Sequence, residues 1–282
     1  MSRIKMLGLD LDGTLFTDDK KITKTNRKAI RKALEKGVVV LPATGRPLNG
    51  VPEELMEFEG IDYVLTSNGA AVYKKDSQKV IYSDYMNKDT VVRILQKAQT
   101  LPLMYDVFMN GKGYVEKEIF EAGIPHIENP EIISYFYKSR VMVKDLIEHI
   151  QTSPYGVEKI TLNFRRNPND CSILLGRQEM IEALSSYADI SVVSGVPTNL
   201  EITNATAKKG TALIELGKLL GIKREEIMAC GDSGNDKEML ETVGLGVAMA
   251  NAEAAVKEVA DYITVSNGED GVAKAIAKFI LT

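Results

Sequence analysis

The chain has 282 residues, of which 44% are hydrophobic and 26% charged, a composition typical of a soluble globular protein with about two domains of roughly 150 residues. The formal net charge of −4 argues against a dedicated nucleic-acid binder and against a polybasic protein of the membrane surface. No apolar run approaches the roughly 20 residues that span a bilayer, and the two cysteines lie far apart, outside any CxxC. We therefore expect a cytoplasmic protein that binds neither membrane nor nucleic acid.

The first 83 residues alternate between strand and helix patterns. Apolar or β-branched runs predict strands at residues 4–9, residues 38–41 and Tyr63–Thr66. Between the first two strands, Thr23 is placed to cap a helix that Gly37 ends, and Pro47 suits the first position of the next helix. This alternation predicts βαβ units in a parallel sheet.

The last 80 residues repeat the alternation. The spacing predicts a helix over residues 211–220, with Leu213, Leu216, Leu219 and Leu220 on its apolar face and Gly221 at its end. Further strands are predicted at residues 227–230, 245–248 and 262–265, and further helices at residues 237–242, 252–260 and 272–281.

The middle of the chain has a different pattern. Asn110-Gly111 predicts a hairpin turn between strands at residues 104–109 and 114–115, and other strands are predicted at residues 159–164 and 190–193. A helical pattern covers residues 180–187. We predict an α/β protein with a Rossmann-like parallel-sheet core formed by residues 1–83 and 203–282, into which residues 84–202 are inserted as an α+β domain.

Two carboxylates follow the first predicted strand. Asp10 and Asp12 lie two residues apart, so they project to the same side while the chain remains extended. They lie at the carboxyl end of a parallel strand, where open α/β sheets place ligands. Their mutual repulsion calls for a cation or a shared proton, unless the segment is simply a solvated acidic turn.

A second polar loop follows the predicted strand at residues 227–230. Asp232, Ser233, Asn235 and Asp236 bring hard oxygen ligands together, a set that suits Mg²⁺. The alternative is an ordinary loop that caps the next helix.

Two further segments are suited to an anion. Thr44-Gly45-Arg46 follows the second strand and offers a hydroxyl and a backbone N–H, although a simple helix cap would look the same. Lys208-Lys209 opens the helix over residues 211–220, where a lysine can bind phosphate or remain a solvated charge. Together, the four segments supply the groups that phosphoryl transfer requires.

These four segments resemble the four motifs of the haloacid dehalogenase-like hydrolase superfamily. The resemblance rests on Asp10-Leu-Asp-Gly-Thr14, on Thr44, on Lys209 and on Gly231-Asp-Ser-Gly-Asn-Asp236. The long insert between the second and third motifs resembles the Cof-type phosphatases, which have a large α+β cap. The resemblance implies a Mg²⁺-dependent phosphoric monoester hydrolase that acts on a small phosphorylated metabolite, such as a sugar phosphate, and exists as a monomer or small homo-oligomer.

The resemblance also implies roles for the residues of the motifs. Asp10 would be the nucleophile that forms an aspartyl-phosphate, and Asp12 would be the general acid and base. Asp10, the backbone carbonyl of Asp12 and Asp232 would hold Mg²⁺, with support from Asp236. The phosphoryl oxygens would be bound by Thr44, Gly45, Lys209, Asn235 and the backbone of Leu11. Lys208 competes with Lys209 for this role, but only Lys209 directly precedes Gly210, as the family pattern requires.

Two alternatives use similar residues. A phospho-accepting signalling receiver also combines acidic residues, a threonine and a lysine on a parallel sheet, but it normally places the acceptor after a later strand and has no large insert. A phosphomutase of the same superfamily shares the chemistry and returns the phosphoryl group to a sugar. A requirement for a bisphosphate activator would separate it from a phosphatase.

Overall fold

The computed structural model describes residues 3–127, 129–194 and 196–282. The strands are β1 (Met6–Leu9), β2 (Val39–Pro42), β3 (Tyr63–Thr66), β4 (Ala71–Lys74), β5 (Lys79–Ser83), β6 (Leu103–Met109), β7 (Lys112–Glu116), β8 (Arg140–Val143), β9 (Val157–Phe164), β10 (Arg166–Asn167), β11 (Asp170–Leu174), β12 (Ile190–Val193), β13 (Asn199–Asn204), β14 (Ile227–Gly231), β15 (Leu245–Ala248) and β16 (Tyr262–Ile263). The helices are α1 (Lys24–Glu35), α2 (Glu53–Met56), α3 (Lys88–Ala98), α4 (Lys117–Gly123), α5 (Pro130–Ser139), α6 (Leu146–Thr152), α7 (Arg177–Leu184), α8 (Lys209–Leu220), α9 (Lys237–Thr242), α10 (Ala254–Lys257) and α11 (Gly271–Phe279). None of the described helices is long and apolar enough to cross a membrane.

The chain divides into two compact units. The first comprises Met1–Gly45, Pro52–Ser83 and Lys208–Thr282, and the second comprises Arg46–Val51 and Asp84–Ala207. The division expected from the sequence, with a core domain of residues 1–83 and 203–282 and an inserted domain of residues 84–202, remains a prediction.

The first unit is built on a five-stranded parallel sheet in the order β16-β15-β14-β1-β2. Strands β1 and β14 are fully buried, which explains why both read as apolar runs in the sequence. In the parallel register of β1 and β14, Leu9 lies opposite Cys230, so both strands end at the same edge of the sheet. The predicted α/β fold class is confirmed.

The predicted helix ends of this unit follow from local chemistry. The side chain of Thr23 accepts a hydrogen bond from the backbone N–H of Asn26 and so caps α1. After α1 and α8, Gly37 and Gly221 adopt φ of 79° and 67°, the left-handed conformation that ends a helix. On α8, however, Leu219 is 61% exposed, so the prediction that it belongs to the apolar face is wrong. The buried stripe is narrower and consists of Ala212, Leu213, Leu216 and Gly217, together with Lys209 and Gly210.

Strand β3 pairs differently from the prediction. It forms an antiparallel three-stranded sheet with β4 and β5, and an isolated parallel bridge joins Leu65 to Ala43 beyond β2. The reason is the turn Ser67–Gly69, whose left-handed backbone reverses the chain directly after β3. The predicted parallel pairing of this strand is therefore wrong.

The helix expected after Pro47 is only a single turn, Leu48–Gly50, and Pro47 precedes it rather than occupying its first position. The chain becomes extended again at Val51, whose ψ is 132°. The residue before a proline disfavours helical geometry, and Pro52 follows Val51, so the helix cannot continue.

The second unit contains a six-stranded sheet in the order β12-β13-β9-β6-β7-β8. The predicted hairpin joins β6 to β7, with Asn110 and Gly111 at φ of 48° and 70°. One face of this sheet packs against helices around a core that includes Val107, Ile160 and Leu162.

Candidate active site

The carboxyl ends of β1 and β14 bring two of the predicted motifs together. Asp10 directly follows β1, and its backbone N–H donates to the carbonyl of Cys230 at 3.0 Å. Asp232 directly follows β14. Adjacent parallel strands end at the same edge of the sheet, so two segments more than two hundred residues apart in sequence meet there.

Lys209 links these motifs through a buried ammonium group. The residue begins helix α8, and its Nζ lies 2.6 Å from Oδ1 of Asp10 and 2.7 Å from Oδ1 of Asp236. All three side chains are almost completely buried. Glu238 fixes the start of the helix because its carboxylate accepts from the backbone N–H of Gly210 at 3.0 Å. Lys209, rather than Lys208, is thus the lysine in contact with the predicted nucleophile.

Burial and charge together shift the pKa values at this edge of the sheet. Burial, reinforced by the charge of Asp236, holds the pKa of Asp10 well above its ordinary value, although Lys209 opposes the shift. Burial alone would lower the pKa of Lys209, but the two carboxylates outweigh it and raise that pKa. Burial raises the pKa of Asp232 to about 6, against a hydrogen bond from Thr14 that lowers it. When Asp10, Asp232 and Asp236 are all ionised, their negative charge therefore exceeds the single positive charge of Lys209.

The loop after β14 is ordered by its own hydrogen bonds. Oδ2 of Asp236 accepts from the backbone N–H groups of Asp232 and Ser233 at 3.0 and 3.1 Å. The hydroxyl of Thr14 donates to Oδ1 of Asp232 at 2.7 Å. Gly13 approaches the same carboxylate, since a Cβ there would lie 2.3 Å from Oδ2 of Asp232. Glycine at this position is required both by that contact and by its φ of 87°.

Three carboxylates form a group suited to a divalent cation. One oxygen each from Asp10, Asp232 and Asp236 lie within 4.8 Å of one another. Hard oxygen donors crowded at this spacing, with the raised pKa values of Asp10 and Asp232, fit a small cation such as Mg²⁺, which needs few protein carboxylates. Both oxygens of Asp236 accept hydrogen bonds, Oδ1 from Lys209 and Oδ2 from the backbone of the loop after β14, so Asp10 and Asp232 are the more available ligands.

The side chain of Asp12 is not part of this group. Its carboxylate pairs with Nζ of Lys20 at 2.8 Å and is 40% exposed. The carboxylate of Asp12 therefore lies outside the group formed by Asp10, Asp232 and Asp236.

The remaining predicted residues lie in the segments that follow β1, β2 and β14. Thr44 is buried beyond β2, its backbone N–H donates to the carbonyl of Leu65 at 2.9 Å, and Gly45 follows it. Leu11 is buried next to Asp10. Asn235 is half-buried in the loop after β14, and its Nδ2 donates to Oδ1 of Asn68 at 3.2 Å.

Lys208 and Arg46 were weaker candidates for binding an anion, and neither is part of the buried group of Lys209, Asp10 and Asp236. Lys208 is the half-buried residue before α8, and burial lowers its pKa although Glu238 opposes the shift. Arg46 belongs to the second unit, where it donates to the carbonyl of Gly50 at 3.3 Å and lies over the ring of Tyr135 at 5.1 Å.

Sequence reasoning missed Asn68 and Lys20. Asn68 could have been found, because it follows a strand in the same way as the other motifs. Lys20 carries no such signal, since its contact with Asp12 depends on the fold of the loop between β1 and α1.

Comparisons with known proteins agree with this arrangement. The sequence profile of haloacid dehalogenase-like hydrolases matches residues 7–276. A curated relative, the 5-amino-6-(5-phospho-D-ribitylamino)uracil phosphatase YcsE of Bacillus subtilis (strain 168), is 33% identical over 280 residues, covering 99% of this chain and 96% of the relative.

Solved structures extend the similarity to the fold. A haloacid dehalogenase-like hydrolase from B. subtilis is 27% identical and has a TM-score of 0.80, covering 98% of this chain and 100% of that chain. A sugar phosphatase of subclass IIB of the superfamily is 26% identical and has a TM-score of 0.78, covering 98% of each chain. Since the profile covers almost the whole sequence, as the four motifs predict, the chain belongs to the haloacid dehalogenase-like hydrolase family.

Proposed function

We propose that this protein is a Mg²⁺-dependent phosphatase that hydrolyses a small phosphorylated metabolite, such as a sugar phosphate, through an aspartyl-phosphate on Asp10. The observation that carries the proposal is the buried ammonium of Lys209 between Asp10 and Asp236, beside the carboxylate of Asp232. This combination supplies a nucleophile, a fixed positive charge and a cation site within a few ångströms, which are the groups that phosphoryl transfer needs.

The first step joins Asp10 to the phosphoryl group. A carboxylate oxygen of Asp10 attacks phosphorus, a P–O bond to Asp10 forms, and the P–O bond to the leaving oxygen breaks. Lys209 orients Asp10 through its contact with Oδ1 and favours the ionised carboxylate, which burial would otherwise disfavour. Asp12 gives a proton to the leaving oxygen so that it departs as an alcohol.

The second step regenerates the enzyme. Asp12, now ionised, takes a proton from a water molecule that attacks phosphorus, and inorganic phosphate leaves while Asp10 recovers its carboxylate. Lys20 pairs with Asp12 at an exposed position, where the carboxyl group can exchange its proton with solvent. Its location outside the buried carboxylate group therefore suits the change between acid and base.

Fixed hydrogen-bond donors and a lysine bind the phosphoryl oxygens, whose negative charge must be stabilised in the transition state. Lys209 supplies a cation, and Thr44, Asn235 and the backbone N–H groups of Leu11 and Gly45 supply neutral hydrogen bonds. Mg²⁺ held by Asp10, Asp232 and the carbonyl of Asp12 would supply further positive charge that offsets repulsion between the nucleophile and the phosphate.

The relatives support a substrate that carries hydroxyl groups as well as phosphate. One acts, by its name, on a phosphoribityl compound and another is a sugar phosphatase. We propose that the substrate of this chain is a phosphate monoester of the same broad class.

Phosphate release tests the proposal. Purified protein with Mg²⁺ should release inorganic phosphate from p-nitrophenyl phosphate, and chelation with EDTA should stop the release. Asp10→Asn should remain folded but turn over at less than about one thousandth of the wild-type rate.

Three results would contradict parts of the proposal. Normal turnover by Asp10→Asn would refute the assignment of the nucleophile. A long-lived phosphorylated protein without phosphate release would favour a signalling receiver. A requirement for a bisphosphate activator would favour a phosphomutase.

A further inference from the structure

The turn Ser67–Gly69 has an unusual backbone. Three consecutive residues have positive φ, with values of 52°, 58° and 99°, and two of them are not glycine. Serine is sterically disfavoured in this left-handed region, whereas asparagine is more tolerant of it. Such a conformation persists only where the surrounding structure holds it, and it is found most often at functional sites.

Two other site segments hold the turn in place. The backbone N–H of Asn68 donates to the carbonyl of Thr44 at 3.1 Å. On the other side, a Cβ at Gly69 would lie 2.2 Å from the carbonyl oxygen of Lys208, so the turn is packed directly against the backbone that leads into Lys209. The turn therefore sits between the segment of Thr44 and the start of helix α8.

The side chain of Asn68 reaches a third site segment. Its Oδ1 accepts a hydrogen bond from Nδ2 of Asn235 at 3.2 Å, while Oδ1 of Asn235 accepts from the hydroxyl of Ser233 at 2.7 Å. An asparagine amide has one oxygen and two N–H donors. Within the described part of the chain, these bonds fix the plane of the Asn235 amide and use its oxygen and one N–H, which leaves the second N–H for a ligand.

We infer that Asn68 is a positioning residue of the phosphate site, which orients the Asn235 amide so that its second N–H meets a phosphoryl oxygen. The inference rests on the proposed function, in which Asn235 binds the phosphoryl group. A neutral acceptor is needed at this position because aspartate would add a negative charge close to the bound phosphate. Asparagine combines that acceptor with tolerance of the left-handed backbone, which explains this residue type in the strained turn.

Two glycine substitutions in the same turn test the inference. Asn68→Gly removes the acceptor and keeps the backbone conformation accessible, whereas Ser67→Gly makes the same change one residue earlier and leaves the acceptor in place. We expect Asn68→Gly to raise KM for p-nitrophenyl phosphate and the inhibition constant of inorganic phosphate about tenfold, with kcat within about twofold, because the lost contact holds the phosphoryl group in the ground state and the transition state alike. Ser67→Gly should change KM and the inhibition constant less than Asn68→Gly does, because it leaves the acceptor of Asn68 in place.

A double-mutant cycle identifies the route of the effect. If Asn68 acts through Asn235, Asn68→Gly should change KM by less than about twofold in an Asn235→Ala background. Multiplying effects in the double variant would overturn the inference, and so would equal KM values for Asn68→Gly and Ser67→Gly.

Two controls keep these outcomes distinct. Thermal melting reports whether each variant is folded at the assay temperature. If Asn68→Gly is not, Asn68→Ser replaces it, since the shorter side chain cannot span the distance to Asn235. Absence of phosphate release by the wild type would refute the proposed function and this inference with it. Wild-type turnover together with an unaffected Asn68→Gly would refute the inference alone.

Discussion

Lys209 should be the most important single side chain for the stability of the site. Its ammonium group is the cation that contacts both Asp10 and Asp236, at 2.6 and 2.7 Å, in a region where all three side chains are buried. Lys209→Met retains most of the apolar stem and the volume, so the substitution removes charge without leaving a large cavity.

The expected loss of stability follows from the uncompensated charge. Removal of one partner from a buried ion pair typically destabilises a protein by about 3–5 kcal/mol, and here two carboxylates lose their partner at once. We therefore expect Lys209→Met to lower the free energy of unfolding by about 3–5 kcal/mol at pH 7.5 in EDTA, measured by urea denaturation with circular dichroism.

Lys218→Met on the same helix is the matched control. The Lys218–Glu215 pair has the same 2.6 Å separation as Lys209–Asp10, but its side chains are 65% and 36% exposed. Exposed pairs contribute at most about 1 kcal/mol, so the control should change the free energy of unfolding only slightly.

The pH dependence of the loss provides an independent check. The pKa of Asp10 is already raised, and removal of the ammonium should raise it further. A group with a raised pKa binds its proton more tightly in the folded state, so lower pH favours folding until the unfolded carboxyl also titrates near 3.9. The raised pKa of Lys209 keeps its ammonium charged over the same range, so the wild type, in which this charge opposes the rise in the pKa of Asp10, gains less from a fall in pH than the variant does.

The difference in the free energy of unfolding between the wild type and Lys209→Met should therefore become smaller from pH 8 to pH 5. Two results would refute this prediction. One is a Lys209→Met variant that is as stable as Lys218→Met at pH 7.5, and the other is a difference from the wild type in the free energy of unfolding that does not change with pH.

Two further predictions concern the cation site. Because burial raises the pKa of Asp232 to about 6, Mg²⁺ must displace a proton below that pH, and its affinity measured by calorimetry should fall by up to about tenfold per pH unit. Thr14→Val removes the hydrogen bond that lowers the pKa of Asp232, so the loss of Mg²⁺ affinity should begin at a higher pH in this variant. A Mg²⁺ affinity that is constant between pH 5 and 7 would contradict the prediction. Gly13→Ala places a Cβ 2.3 Å from Oδ2 of Asp232 and should reduce kcat/KM by about 100-fold with a matching loss of Mg²⁺ affinity. Gly37→Ala is its control, because Gly37 has a similar φ of 79° and no described atom lies within 4 Å of its added Cβ, so it should cost about 1 kcal/mol of stability and leave kcat/KM unchanged.

The sequence patterns predicted local structure well where short-range chemistry controls it. Strands β3 and β15, helix α9 and the hairpin at Asn110-Gly111 have the predicted positions, since apolar runs and left-handed turn residues specify them locally. The pairing of β3 could not be predicted in this way, because its partner depends on where the chain goes after the turn Ser67–Gly69. Helix α10 is also shorter than the predicted 252–260, and it ends at Lys257.

The composition and motifs determined that this is a globular α/β protein of the haloacid dehalogenase-like hydrolase family, with acidic residues after two strands and a lysine at the start of a helix. Only the tertiary structure decided that Lys209 contacts both Asp10 and Asp236, that Asp12 pairs with Lys20 outside the carboxylate group, and that Asn235 donates to Asn68. The physical reason is that hydrogen bonds and charge interactions act over a few ångströms. A motif specifies which donors and acceptors are present, but packing of the sheet and its loops determines which of them come within that distance.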